Sequence, residues 1–194
     1  MTRVCVFCGS SVGADPAYAA AARRLAAALV ERGLGVVYGG GAVGLMGVLA
    51  DALLERGGEV IGVIPRGLVA REVAHTRLTE QRIVDSMHER KALMASLADA
   101  FVVLPGGVGT LEEMFEVLSW AQLGIHAKPI GVLDVRGFWA GLQAHLAHAV
   151  REGFVRADHA ALLLAADAPE PLLDAMATWR PPASVRPWLA PSQI

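Results

Sequence analysis

The sequence predicts an α/β domain of the doubly wound, Rossmann-like kind: a mostly parallel sheet with helices on both faces. Three observations carry that reading. Short apolar runs alternate with segments of helical period along the chain. The runs are apolar on consecutive residues, as strands covered on both faces must be. Glycine-rich turns follow three of the expected strands, at Gly9, at 39–44 and at 106–109, and ligands of such sheets bind beyond the strand carboxyl ends.

In chain order, Arg3 to Phe7 reads as the first strand, ended by Cys8-Gly9-Ser10-Ser11. A helix follows from Pro16, with Asp15 as its cap and proline at its first position, to Arg32 before Gly33. Gly35 to Tyr38 is a short second strand, and Gly39-Gly40-Gly41-Ala42-Val43-Gly44 leads into a helix over 45–55 that Gly57-Gly58 closes. Glu59 to Ile64 is a third strand, stopped by Pro65. Residues 66–78 have no clean period and read as a loop near the site. Gln81 to Val84 is a fourth strand and 86–97 a helix. The central strand, Ala100 to Leu104, precedes a helix over 111–123 with apolar positions at Leu111, Met114, Phe115, Leu118 and Ala121. A strand at Pro129 to Leu133, a helix over 138–151, a short strand at Ala161 to Leu164 and a helix from Pro169 to Trp179 complete the domain. The expected organisation is one domain over 1–180 and a proline-rich tail over 181–194.

A chain of 194 residues, 54% hydrophobic, is long enough for one sizeable core. A net charge of −2 with scattered arginines gives no electrostatic footprint for nucleic acid, so no nucleic-acid partner is expected. The first apolar run is too short for a signal-peptide core, and no run approaches a membrane span. A cytoplasmic protein without membrane contact is the expectation. Cys5 and Cys8 form C-x-x-C, but no second pair accompanies them and they sit on a strand rather than a helix N-terminus, so buried thiols fit better than a redox or zinc site. His145 and His148 share a helix face without an acidic or cysteine ligand nearby, and no metal site is expected.

The strongest chemistry lies in Pro105-Gly106-Gly107-Val108-Gly109-Thr110-Leu111-Glu112-Glu113, at a strand-to-helix turn. Glycines there let an anion approach backbone N–H groups, and the helix dipole favours negative charge at the same place. The run at 39–44 alone is weak support, because chain reversal by itself calls for glycines; Walker and dinucleotide fingerprints are both absent. Thr110 with Glu113 spells a capping box, which is one explanation of Glu113. Against it, Glu112 and Glu116 add carboxylates that a box does not require, which suggests groups aimed at a ligand. Ser86 with Glu89 spells another box. Arg90 falls on the apolar stripe of Met87, Leu93, Met94 and Leu97, in the helix turns where the dipole disfavours a cation. An anionic partner, an internal salt bridge or a snorkelling side chain would each explain it.

With Met87-His88-Glu89-Arg90-Lys91 and Pro105 to Glu113 both present, reading M-H-x-R-K and P-G-G-x-G-T-x-x-E, the chain resembles the Lonely Guy (LOG) family of cytokinin-activating enzymes. The similarity runs from Val4 to about Gly153 and includes Cys8-Gly9-Ser10-Ser11, Tyr38-Gly39-Gly40-Gly41 and 120–126. The resemblance implies a homodimeric phosphoribohydrolase that cleaves the N-glycosidic bond of an N6-modified adenosine 5′-monophosphate, or of AMP, to base and ribose 5-phosphate, without a cofactor. It implies Arg90 and Glu113 as the catalytic pair. It matches Glu72, Lys91, Gly106, Gly107, Val108, Gly109, Thr110, Leu111, Glu112 and Ser119 to substrate binding, with Gly9, Ser10, Gly39, Gly40 and Gly41 supporting the phosphate loop. The alternative is a non-catalytic nucleotide or cofactor carrier of the same fold, which would have no need of Arg90 or Glu113. A lysine decarboxylase label sometimes attached to the family finds no support in a chain with two lysines, Lys91 and Lys128, and no evident pyridoxal phosphate domain.

Overall fold

The computed structural model describes residues 1–69 and 74–183. Its elements are β1 (Arg3–Phe7), α1 (Pro16–Glu31), β2 (Gly35–Tyr38), α2 (Gly44–Leu54), β3 (Val60–Pro65), β4 (Glu80–Val84), α3 (Met87–Leu97), β5 (Ala100–Val103), α4 (Val108–Gln122), β6 (Ile130–Leu133), α5 (Ala140–Arg151), α6 (Ala157–Ala160), β7 (Leu163–Ala166) and α7 (Pro169–Thr178). The seven strands form one sheet in the order β4-β3-β2-β1-β5-β6-β7, and every pairing is parallel.

Strand side chains alternate between two cores. Val4, Val6, Val36 and Tyr38 meet α1, α2 and α7 on one face; Cys5, Phe7, Val37 and Phe101 meet α3 and α4 on the other. Both faces being covered is why the strands read as continuous apolar runs. Helix starts follow local chemistry: Asp15 caps α1 by accepting from Ala17 N at 2.8 Å, and Ser86 caps α3 by accepting from Glu89 N at 3.1 Å. Glu89 completes that box one residue early, accepting from Asp85 N rather than Ser86 N.

The order matters for function. The chain lays β1 to β4 outward in one direction and then returns to place β5 on the other side of β1. Loops leaving β1 and β5 therefore diverge and open a crevice at the carboxyl edge.

Several boundaries differ from expectation. Pro65 does not stop β3 but is its last residue, opposite Val84 on β4. Residues 157–160 wind into the unforeseen α6, which delays β7 until Leu163 lies opposite Ile130. Most consequential, α4 begins at Val108, three residues before the apolar period announces it. The expected loop over 66–78 contains a 3-10 turn at Arg66–Leu68, and Ala74 bridges to Gly41. The expected tail lies mostly outside the described residues.

Candidate active site

A cleft of about 270 Å³ opens at the crevice between β1 and β5. Cys8 and Ser10 line it from the turn after β1, Gly107, Val108, Gly109, Thr110, Glu112 and Glu113 from the start of α4, Met87 and Arg90 from α3, and Met46 and Leu68 from the facing side. A second hollow of about 270 Å³ adjoins it, sharing Ser10 and Gly107. Two hollows of about 490 and 550 Å³ lie elsewhere. One, lined by Arg3, Glu59 and neighbours, sits at the amino edge of the sheet, and the other is a mostly apolar groove beside α3 and α4. The first is reached by no helix N-terminus among the described residues, and the second, although His88 and Glu89 from the start of α3 line it, lacks the glycine-opened amides of α4, so the switch-point cleft is the candidate.

The floor of the cleft is a set of backbone amides of the kind that can cradle an anion. Gly107 is the N-cap of α4 and supplies no side-chain cap, so the first amides of the helix have no intrahelical acceptor. Among the described residues none accepts from the N–H groups of Val108, Gly109 or Thr110. A Cβ at Gly107 or Gly109 would meet no protein atom within 4 Å. Neither glycine has a positive φ, so neither the backbone conformation nor the protein's own packing calls for glycine there. What the missing Cβ clears is approach to the amides from the cleft.

Gly106 differs. A Cβ there would fall 2.1 Å from Thr110 Oγ1 and 2.9 Å from Gly9 N, so its role is to let the β1 and β5 turns touch. Gly9 N donates to Pro105 O at 3.1 Å in the same contact.

Arg90 forms one wall. It is 4% exposed, as its place on the apolar stripe of α3 requires. Nε donates to the carbonyl of Val63 at 3.1 Å and Nη2 to that of Gly39 at 2.9 Å, with Met87 Sδ 3.8 Å from Nη1. Gly39 makes room for this: a Cβ would sit 2.2 Å from Nη2. Carbonyls of β3 and of the turn after β2 thus help to aim the guanidinium, and Glu113 faces the same cleft from α4.

The capping-box explanation of Glu113 fails, because Thr110 is the third residue of α4 and not its cap. Thr110 is buried at 4% exposure and packs against Gly106. The expected surplus of carboxylates is also resolved. Glu112 and Glu116 both accept from Lys91 Nζ, at 2.5 and 2.9 Å.

A family profile described as "Possible lysine decarboxylase" matches residues 46–176. The cytokinin riboside 5'-monophosphate phosphoribohydrolase LOG of Oryza sativa subsp. japonica is 51% identical over 164 residues, 84% of this chain and 68% of the rice protein. The chain belongs to the LOG family. A cytokinin riboside 5'-monophosphate phosphoribohydrolase of Arabidopsis thaliana is 53% identical over 153 residues, 79% of this chain and 70% of the relative. Among solved structures, the molybdenum cofactor binding protein of Rippkaea orientalis superposes with TM-score 0.67 at 17% identity, covering 91% of this chain and 96% of that one. At that identity the likeness speaks for the fold alone.

Not every residue matched to the LOG site reaches the cleft. Leu111 packs against the α3–α4 core, and Ser119 is exposed outside the cleft lining. Lys91 is 8% exposed and turned to α4 rather than to the cleft. Gly40 packs on β3, where its Cβ would approach Ile64, and Gly41 pairs with Ala74, while Tyr38 Oη donates to the Gly41 carbonyl. Their part is to hold the Gly39 turn. Glu72 lies outside the described residues. Met46, Leu68 and Cys8 line the cleft without having been anticipated. Cys8 follows β1 rather than lying within it, and burial drives its thiol pKa upward, with Glu113 adding to the shift, so it is inert wall rather than nucleophile. Its position at the carboxyl end of the first strand was the available signal. His145 and His148 are exposed on α5, and no described group of three His, Cys, Asp or Glu side chains converges.

Proposed function

We propose that this LOG-family protein hydrolyses the N-glycosidic bond of an adenosine 5′-monophosphate, N6-modified or plain, releasing the base and ribose 5-phosphate. One observation carries the reading. Amides at the start of α4 open onto space that the protein's own atoms do not fill, and Arg90 and Glu113 share the wall of the same cleft. The amides take the 5′-phosphate, which places the sugar toward the carboxylate. As the bond between C1′ and the base nitrogen breaks, its electron pair leaves with the base, which takes up a proton. The ribose becomes oxocarbenium-like, and a water oxygen bonds to C1′. Glu113 stabilises the developing positive charge or takes the water's proton, and Arg90 orients the carboxylate or the nucleotide's anionic group. The cleft and its neighbouring hollow together suit a ligand of nucleotide size.

The test is chromatographic: the purified chain with AMP and with N6-isopentenyladenosine monophosphate. Release of free base from either is expected, and Glu113→Gln or Arg90→Ala should lower kcat by about 100-fold or more with the circular dichroism unchanged. Tight binding with no turnover would favour the carrier reading instead.

We also propose a homodimer that buries the α3–α4 face. The apolar groove there, about 550 Å³ and lined by Ala92, Ala95, Trp120 and Ile125, supports it, as do exposed Phe115 on α4 and Met87 on α3. Sedimentation equilibrium should give twice the chain mass. No helix among the described residues is long and apolar enough to cross a membrane. A cytoplasmic setting fits the two free, buried cysteines.

A further inference from the structure

We infer that Lys91 is a positioning residue, locking the helix that carries Arg90 to the helix that carries Glu113, and not a group that touches the nucleotide. The inference rests on the reading of the cleft given above. Lys91 follows Arg90 on α3, yet it does not line the cleft that Arg90 lines. Its ammonium donates to Glu112 Oε1 at 2.5 Å and to Glu116 Oε1 at 2.9 Å, two carboxylates one turn apart on α4. Lys91 is the chain neighbour of Arg90 on α3, and of its two partners Glu112 reaches the cleft rim beside Glu113 while Glu116 stands one turn further along α4, outside it. One residue along a helix is a rotation of about 100°, so Lys91 and Arg90 point in different directions from one rigid turn of α3. Fixing the first therefore fixes the aim of the second.

The ion triad is well held. Burial draws the Lys91 ammonium toward its neutral form, but hydrogen bonds to Glu112 and Glu116 outweigh that and hold its pKa above the ordinary lysine value. Glu116 depends on the lysine, since its Oε2 is buried and no described residue donates to it. Glu116 also lies outside the cleft, on the side of the apolar groove. Without Lys91, Glu112 and Glu116 would be like charges at i and i+4, beside a cradle shaped for an anion. The clamp thus does two things: it sets the angle between the helices that bear Arg90 and Glu113, and its one positive charge offsets one of the two carboxylates beside the cradle.

The test measures kcat for base release in the full chain for Lys91→Met, Lys91→Arg, Glu116→Gln and Lys91→Met/Glu116→Gln, with the inhibition constant of ribose 5-phosphate alongside. Lys91→Met should lose about tenfold or more in kcat, because small misplacements of reacting groups are costly. Glu116→Gln alone should lose about threefold, although it stands outside the cleft, and the double variant should lose no more than Lys91→Met. Lys91→Arg should recover most of the loss, and inhibition by ribose 5-phosphate should move less than kcat. A Glu116→Gln enzyme with wild-type kcat overturns the clamp, even should Lys91→Met fail to fold. A Lys91→Met loss that appears wholly in the inhibition constant, with no coupling to Glu116, assigns Lys91 to direct phosphate contact and overturns it too. Wild-type protein that releases no base fails the proposed function itself, which is a separate outcome.

Discussion

Gly39 and Gly109 show how the same residue type serves the candidate site in opposite ways. At Gly39 a side chain would strike Arg90 Nη2 at 2.2 Å, and the guanidinium has little room to yield because its Nε is held by the Val63 carbonyl. Gly39→Ala should therefore displace Arg90 and lower kcat about tenfold or more, while the chain still folds; steady-state kinetics beside a thermal melt would show it. At Gly109 a side chain meets no protein atom, and the backbone is helical. Gly109→Ala should thus stabilise the free protein by up to about 1 kcal/mol through helix propensity. The same methyl would crowd the amide cradle, so the KM for a monophosphate should rise about tenfold. A variant that is more stable and binds as well as the wild type would show that the cradle is not where the phosphate sits. Both glycines are plain in the sequence, but which atoms surround them is not, because neighbours from β3 and α3 are set by the fold.

At the scale of single elements, the start of α4 shapes the candidate cleft. Periodicity places the helix from Leu111, because the first apolar residue on the buried stripe is there. The chain enters helix already at Val108, since Gly107 can cap without a side chain and Thr110 fits inside against Gly106. That shift of one turn abolishes the capping box, buries Thr110 and leaves three amides facing the cleft. α3 kept its expected start and buried arginine, since Ser86 caps it and Arg90 is buried, but its buried face is Arg90, Lys91, Met94 and Ala95, with Met87 exposed and Leu93 and Leu97 half-buried. Ser86→Ala should cost about 1 kcal/mol, read from urea denaturation, because Glu89 N would lose its acceptor at the helix end. The same substitution loosens the turn bearing Arg90, so activity should fall further than stability predicts.

For the molecule as a whole, pH acts through a histidine that does not line the candidate cleft. His126, in the connection from α4 to β6, is held as the neutral ring: Nδ1 accepts from Lys128 N at 3.2 Å, so Nε2 carries the proton and donates to the Val117 carbonyl at 2.9 Å. Burial, opposed by the Val117 contact and helped by Lys128, lowers its pKa to about 4. The unfolded chain takes up this proton near pH 6.5 and the folded chain only near 4, so stability is complete above about pH 6.5 and declines as pH falls through that interval. At pH 5 this single group should remove about 2 kcal/mol relative to pH 7.5, and His126→Gln should flatten that slope in urea titrations at the two pH values. The alternation of buried strands and helical stretches, the three glycine turns and the two motifs are local patterns, and together they sufficed for the parallel sheet and for expecting Arg90 and Glu113, which line one candidate cleft, to act together. Periodicity and motif spelling are properties of neighbours in the chain, which is why they survive in a bare sequence. Only the packed structure decided that Lys91 faces Glu112 and Glu116 instead of the cleft, that Leu111 and Ser119 stand away from it, and that Cys8, Met46 and Leu68 enclose it. Those outcomes depend on how α3 and α4 are rotated and spaced on one face of the sheet, and that angle is fixed by contacts between residues distant in sequence.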